Sequence, residues 1–386
     1  VGGYDTTGDY AMQNINYSYN IRGWLKSIND VTDLSSENDL FAFKINYNDF
    51  DSQGQNDISS TLLYNGNISS TYWITSKDNV LRKYNYSYDK LNRLLEANYL
   101  KPQLASTPDN YNEKLTYDKN GNITSLYRNG GLDSDGLMFN NIDDLKYFYD
   151  TDNQNLLKKV FDSSNSPEGF SENYDVIDYN SGQFEDNDDD YTYDANGNMI
   201  ADTNKGIDQI IYNHLNLPTR IIFGNGNVIN YLYNGAGQKI VKDIVDNLGF
   251  ESAITDYLSG GFQYKNGDLQ FFPHAEGYVN ASVIELICMT CRPAAISYTT
   301  SYDYVFNYTD HLGNIRLSYS VDPVYGDLKV LEENHYYPFG LKHTNYNSDV
   351  LLYSKNSIGT KTLKVMPPVV VEPSYNYKYN GKEYQD

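Results

Sequence analysis

Cysteine is nearly absent from this chain: two residues in 386, Cys288 and Cys291, form a single C-x-x-C. Structural zinc takes about four ligands, and neither a second C-x-x-C nor a histidine group supplies the rest, the five histidines being scattered. No βαβ pattern surrounds the pair to suggest a redox site, so a local disulfide or two free thiols in a loop insertion is expected. Basic residues are also few. Lys and Arg total 29 against 51 Asp and Glu, giving a formal charge of −22 and a pI near 4.5. Such a surface repels phosphate backbones, which excludes nucleic acid as a partner. Long apolar runs are missing too. A membrane helix needs roughly 18 or more apolar residues, and the best window, Ala281–Ile296, is broken by Glu285 and Arg292. The opening VGGYDTTGDY has neither the basic start nor the apolar centre of a signal peptide. It begins in mid-pattern, with Tyr4-Asp5 ahead of Gly8, and the chain reads as an internal piece of something longer.

Two residue types are abundant. Tyr occurs 40 times and Asn 47 times, while Ala and long helix-forming runs are scarce. Tyr favours strands and Asn favours turns, so composition already reads as many short strands joined by tight turns. The aromatic content is too high for a disordered acidic chain. The length fits either a few ordinary domains or one extended β array.

Internal periodicity decides between them. Related units recur as YNIRGWLKSIN from Tyr19, YDKLNRLLEANY from Tyr88, YDKNGNITSLY from Tyr117, YDTDNQNLLKKVF from Tyr149, YDANGNMIADT from Tyr193, YNHLNLPTRIIF from Tyr212 and YNGAGQKIVKDI from Tyr233. In LTYDKNGNITSLY, Leu115 and Tyr117 alternate with Thr116, the period of two that turns one face toward a core. Asp118 can then accept bonds from amides just downstream, and Gly121 can supply the positive φ that a type I turn with a bulge needs. Each unit is predicted to be a β-hairpin with its Tyr at the mouth of the turn. The positions carrying this pattern are Tyr88, Asp89, Tyr117, Asp118, Gly121, Tyr149, Asp150, Tyr193, Asp194, Gly197, Tyr233 and Gly237. One hairpin buries too little to stand alone, so lateral stacking into a long sheet that curls or closes is required.

Three further motifs follow the repeats in order: YVFNYTDHLGNIRLSYS (Tyr304–Ser320), ENHYYPFGLKH (Glu333–His343) and YKYNGKEYQD (Tyr377–Asp386). Repeats and motifs together resemble the RHS/YD-repeat family of secreted bacterial proteins, the last third resembling the RHS-associated core. The resemblance implies an all-β fold in which YD hairpins wind into a long curved sheet or hollow, cocoon-like shell. It implies a polymorphic-toxin role, the shell enclosing or presenting a C-terminal toxin, sometimes released by self-cleavage just beyond the core. It also implies bacterial secretion machinery as a partner and a secreted or cell-surface location. Core-motif positions that match are Asp310, His311, Gly313, Asn314, Arg316, Tyr336, Tyr337, Pro338, Phe339, Gly340, Asn380, Gly381, Lys382 and Glu383. The chain stops at Asp386, before the self-cleavage segment and any cargo. On this reading residues 1–250 are the hairpin array and 251–386 the core-like region, with an insertion at about 284–301.

Nothing in the sequence calls for chemistry. The run Glu185-Asp186-Asn187-Asp188-Asp189-Asp190 lacks the glycine and bidentate Glu of a helix-loop-helix calcium site and reads as a solvated loop. Asp310-His311 has no nucleophile placed to complete a dyad and repeats the turn grammar of the YD units, so His311 is expected in a turn or core. Pro338 and Gly340 mark a corner, and Val365–Pro373 an extended connector. Five N-x-S/T sequons are what an Asn-rich chain produces by chance. No catalytic residue, cofactor or metal is expected. Two other readings remain: a cell-surface adhesin whose Tyr and Asn rows bind glycans or neighbouring cells, and a self-cleaving protease whose active segment lies past residue 386.

Overall fold

The structure, a computed structural model, describes residues 12–48, 62–103, 110–132, 139–164, 166–171, 189–288, 295–321, 328–343, 351–355, 361–365 and 375–384. Within them the chain is all-β, without an α-helix, in two antiparallel sheets. The first holds β1 (Tyr17–Tyr19), β2 (Leu25–Ile28), β3 (Phe41–Asn46), β4 (Ser70–Thr75), β5 (Arg82–Tyr88), β6 (Leu94–Leu100), β7 (Glu113–Tyr117), β8 (Ile123–Leu132), β9 (Phe139–Tyr149) and β10 (Leu157–Asp162). The second holds β11 (Tyr191–Tyr193), β12 (Met199–Asp202), β13 (Ile207–Tyr212), β14 (Pro218–Phe223), β15 (Val228–Tyr233), β16 (Lys239–Val245), β17 (Glu251–Tyr257), β18 (Gln263–Lys265), β19 (Asp268–His274), β20 (Gly277–Cys288), β21 (Ala295–Thr309), β22 (Ile315–Val321), β23 (Leu328–Glu333), β24 (Leu351–Lys355) and β25 (Lys361–Val365). Spatial order equals sequence order in both, so every ladder joins consecutive strands.

The turns follow from a few residues. Between β7 and β8 the Asp118 carboxylate accepts the Asn122 amide at 2.9 Å, and the Asp118 amide donates back to the Asn122 carbonyl at 3.0 Å. Gly121 sits at φ +97°, in the left-handed region open to glycine. Asp194 with Gly197 and Asn234 with Gly237 build the same turn, and at Asp89 the left-handed position is filled by Asn92. These amide and side-chain donors hold the carboxyls of Asp89, Asp150 and Asp194 below the usual range, led by the Arg93 amide, the Asn153 amide and the Asn198 side chain respectively. The pairing register shifts just before the Tyr in the hairpins of Tyr88, Tyr117, Tyr193 and Tyr233, where one extra residue forms a bulge. A turn of this kind also closes at Asp246 and Gly249, where Val245 stands in place of Tyr.

The repeat tyrosines lie on one face. Tyr88, Tyr117, Tyr149, Tyr193 and Tyr233 are half-buried, and the residue before each (Ser87, Thr116, Phe148, Thr192, Leu232) is exposed. Each hydroxyl donates to a carbonyl of the preceding hairpin: Tyr88 to Ile68 (2.9 Å), Tyr117 to Leu94 (2.7 Å), Tyr149 to Ile123 (2.8 Å), Tyr193 to Leu157 (2.7 Å), Tyr212 to Met199 (2.6 Å) and Tyr233 to Pro218 (2.9 Å). Except at Ile68, the acceptor is the first residue of the preceding return strand. The bond therefore spans two hairpins at the point where one turn meets the next. At Tyr193 it also crosses the break between the two sheets, helped by the Val160 amide donating to Asp190 at 2.8 Å and by the Lys158–Asp189 ion pair at 2.7 Å.

Packing is uneven along this ribbon. The main core joins Phe41, Phe43, Ile45, Trp73, Tyr84 and Tyr99 of β3–β6 to Phe306, Tyr308, Leu317, Tyr319 and Val330 of β21–β23. Burial of each such side chain stabilises by about 1.5–3 kcal/mol. Between Asp202 and Thr255, by contrast, no side chain is buried. Strands β13–β16 are at most half-buried, and among the described residues the ion pair of Lys239 with Glu383 is where the end of the chain meets them.

The latch bond can be tested directly. Tyr117→Phe should lower unfolding free energy by about 1 kcal/mol, the net worth of one hydrogen bond. Tyr19→Phe should change it little, because Tyr19 is 59% exposed and makes no such bond among the described residues. Urea titration of the two variants measures the difference.

Candidate functional site

The three C-terminal motifs meet at one place. Asp310 shapes the β21–β22 turn, its Oδ1 accepting the amides of Leu312 and Asn314, each at 3.0 Å, with Gly313 at φ +79°. Asn314 Oδ1 accepts the Asn380 amide at 3.0 Å, and the Ile315 amide donates to the Lys378 carbonyl at 2.9 Å. The Tyr336 hydroxyl reaches the Ile315 carbonyl at 3.1 Å, repeating the latch. In the Tyr337–Leu341 bend after Pro338, Gly340 lies against the Tyr379 ring so closely that a Cβ would stand 2.3 Å from it. Phe339 at the tip is half exposed. Beyond the Asn380–Gly381 turn, which brings Lys382 back to Tyr379, Glu383 binds Lys239 and accepts the Tyr257 hydroxyl at 2.8 Å. Burial and this carboxylate push the Tyr257 hydroxyl up, and burial raises Tyr231 beside it to about 12.

The motif knot is seated on the first sheet through buried polar groups. Arg316 is buried with its guanidinium 5.0 Å from the Trp73 ring centre and 5.8 Å from those of Phe41 and Phe43. Its Nε donates to the Asn334 carbonyl at 3.0 Å and its Nη1 approaches Asp310 at 3.5 Å. Trp73 Nε1 donates to His335 Nδ1 at 2.6 Å. The proton of the neutral imidazole is therefore on Nε2, which donates to Glu333 at 2.5 Å. The His343 ring stacks on Tyr111 at 4.2 Å, and its Nε2 lies 2.9 Å from the Tyr84 hydroxyl, which donates to the Tyr111 carbonyl. The Tyr337 hydroxyl donates to the Asn129 carbonyl at 2.5 Å beneath Arg128. Arg128 in turn holds two buried carboxylates, Glu113 at 2.6 Å and Asp143 at 3.0 Å.

Burial drives the ionisation of these groups. It holds His335 and His343 well below the ordinary histidine range and raises Glu113, Asp143 and Glu333, with Arg128 partly offsetting the rise at Glu113 and Asp143. None of this resembles a reaction centre: the histidines are neutral, sealed and committed to structural bonds. His311 stacks on Phe43 at 5.9 Å with its pKa lowered by burial, while the Asp310 carboxylate is occupied by turn amides and Arg316.

Other sequence features fall away from this knot. Of the acidic run, Asp189 and Asp190 bond Lys158 and the Val160 amide, and residues 185–188 lie outside the described residues. Cys291 lies outside them as well, Cys288 ending β20. So do residues 1–11 and most of the Val365–Pro373 connector. Among the described residues no group of three or more His, Cys, Asp or Glu is arranged to hold a metal, and no helix is long and apolar enough to cross a membrane. Sequence reading picked out Glu333–His343 but not its seat. Trp73, Tyr84, Tyr111 and Arg128 lie some 200 or more positions upstream, and no spacing links them to it.

No protein-family model and no curated protein matches the chain. Among solved structures, the crystal structure of TcdB2-TccC3-TEV is similar at 14% identity and a TM-score of 0.48, over 98% of this chain and 17% of that one. The crystal structure of TcdB2-TccC3 gives 13% and 0.48, over 96% and 17%. A Photorhabdus luminescens Tc holotoxin pore with a mutated TccC3 gives 12% and 0.46, over 95% and 18%. These values describe a distant likeness of fold that carries no functional assignment, and the chain spans less than a fifth of each of those structures.

Two measurements probe the seam. Arg128→Met leaves Glu113 and Asp143 buried without their cation and should destabilise by about 3–5 kcal/mol in chemical denaturation. The second is pH. Histidines whose folded pKa lies below the unfolded value of about 6.5 contribute stability that is lost as pH falls below that value. The buried carboxylates act with the opposite sign, so the histidine part is read as wild type minus a His335→Gln/His343→Gln variant. That difference should fall as pH drops from ~6 to ~5, its slope rising toward the two-proton limit of about 2.7 kcal/mol per pH unit.

Proposed function

We propose that this chain is a wall-and-closure segment of a secreted bacterial shell of the RHS/YD-repeat type, which encloses or presents a C-terminal toxin or other effector. The observation that carries the reading is the contrast within one continuous sheet. Strands β13–β16 are thinly covered, with no fully buried side chain, whereas β21–β23 of the same sheet are packed solidly onto β3–β6. A globular binding domain would fill both sides of its sheet. A container needs thin walls and one sealed seam. Residues 1–250 then supply the wall and one side of the seam, and 251–386 the closure, a division of role, since the sheet runs unbroken from β16 to β17 across residue 250. The mechanism is exclusion: the wall separates cargo from proteases, and the chain performs no reaction itself. The half-buried repeat tyrosines, with their hydroxyls used as latches, support this reading over an adhesin that displays aromatic rows.

The test is limited proteolysis of the full-length polypeptide that contains this chain. A segment following Glu383 should resist protease while the seam is intact and become cleavable in the Arg316→Met variant, with the wall hairpins still protected. Equal cleavage in both proteins, or an electron-microscopy map in which side chains fill the space beside β13–β16, would refute the container reading.

A further inference from the structure

The hairpin β20–β21 is longer than its neighbours. β19 pairs with β20 only over Gly277–Asn280, and β22 pairs with β21 only over Val305–Thr309. Beyond them, Ala281–Cys288 and Ala295–Tyr302 pair only with each other among the described residues, in unbroken register from Ala281↔Tyr302 to Cys288↔Ala295. This stretch is thus a two-stranded ribbon that runs about 26 Å beyond its last pairing with β19, at 3.3 Å per residue. A ribbon of two strands with both edges open is marginal in water, and open edges are templates for a further strand. Toward its far part the described side chains are exposed, Val283 by 56%, Tyr298 by 69% and Tyr302 by 55%, while Ala281 at its base is buried and Ser282 and Ser301 are half-buried.

We propose that this ribbon is a self-association arm, and that the edge of β21 over Ala295–Tyr302 adds antiparallel to the same edge of a second copy of the chain. Two observations select that occupant. The first is charge. The chain carries −22, so copies repel over most of their surface, but residues 281–302 contain one acid, Glu285, and one base, Arg292. Copies meet there with least opposition. The second is self-complementarity. A two-fold antiparallel pairing centred on Thr299 or Thr300 sets Thr, Ser, Tyr and Ile of ISYTTSY opposite one another, and no charge opposite a like charge. The rival edge, Ser282–Ile287, has Glu285 near its middle, where two-fold pairing brings two carboxylates together. ISYTTSY also lacks the Lys or Pro that ordinarily blunts an open edge. Pairing over six or seven residues buries far less than the roughly 800 Å² per partner of a standard interface, so the dimer is weak and dependent on concentration.

Sedimentation velocity of the full chain over a wide concentration range tests this, with amide hydrogen exchange as the second readout. The expected result is a monomer–dimer equilibrium in which rising concentration protects amides of 295–302. Thr299→Lys/Thr300→Lys should weaken association at least about tenfold by placing like charges across the two-fold. Because these lysines reduce the net negative charge, association through any general surface would instead be strengthened. Val283→Lys, on the opposite strand of the same ribbon, should leave the dimer intact, which separates loss of pairing from loss of the ribbon. A chain that stays monomeric throughout, an association unaffected or strengthened by the lysine pair, or protection gained at 281–288 without any at 295–302 overturns the proposal.

Discussion

A hydroxyl on one hairpin reaching a carbonyl on the hairpin before it is the interaction on which this architecture rests. Backbone ladders join any two neighbouring strands, but they say nothing about which end of a hairpin lies level with the next. The tyrosine does. Its ring packs on the half-buried face and its hydroxyl finds the first carbonyl of the preceding return strand, so each new hairpin is set against the last at its turn end. A one-residue slip would turn the ring to the exposed face and break the bond. The latch thus enforces register where the flanking side chains, half exposed on both faces in β13–β16, would enforce it weakly.

Stability is supplied in two currencies along the ribbon. In the thinly covered stretch it comes from turns, ladders and latches, each modest and local. At the seam it comes from aromatic burial together with polar groups that tolerate burial only because they are partnered. Tyr337 beneath Arg128 and on the Asn129 carbonyl, and Trp73 bonded through His335 to Glu333, tie the last third of the chain to the first sheet. Such networks add little net stability compared with an apolar replacement, but they are strict about geometry. A greasy seam would accept many registers, whereas this one accepts few.

The hairpins were legible in the sequence because their turn chemistry is local. Tyr117-Asp118 followed by Gly121-Asn122 names the acceptor, the donors and the left-handed residue within six positions. The turn at Asp246 escaped because Val245 replaces the tyrosine that flagged the others. The latch acceptors were invisible for a different reason: a backbone carbonyl has no sequence identity. The seat of the C-terminal motifs was equally hidden. Arg82, Lys83 and Glu113 look like surface residues, yet all are buried, since tertiary contact rather than local pattern decides their environment. His335 and Trp73 meet across 262 positions, a distance at which spacing carries no information.

That separation has a kinetic side. Within each sheet every strand pairs with its neighbour in sequence, so each can be laid down hairpin by hairpin with low entropic cost as the polypeptide emerges. The contact between Trp73 and His335 cannot form until almost the whole segment has been synthesised. Hairpins laid down early therefore wait for a partner made much later. The position of one histidine along the chain acts as a clock, setting the earliest moment at which the two sheets can lock together.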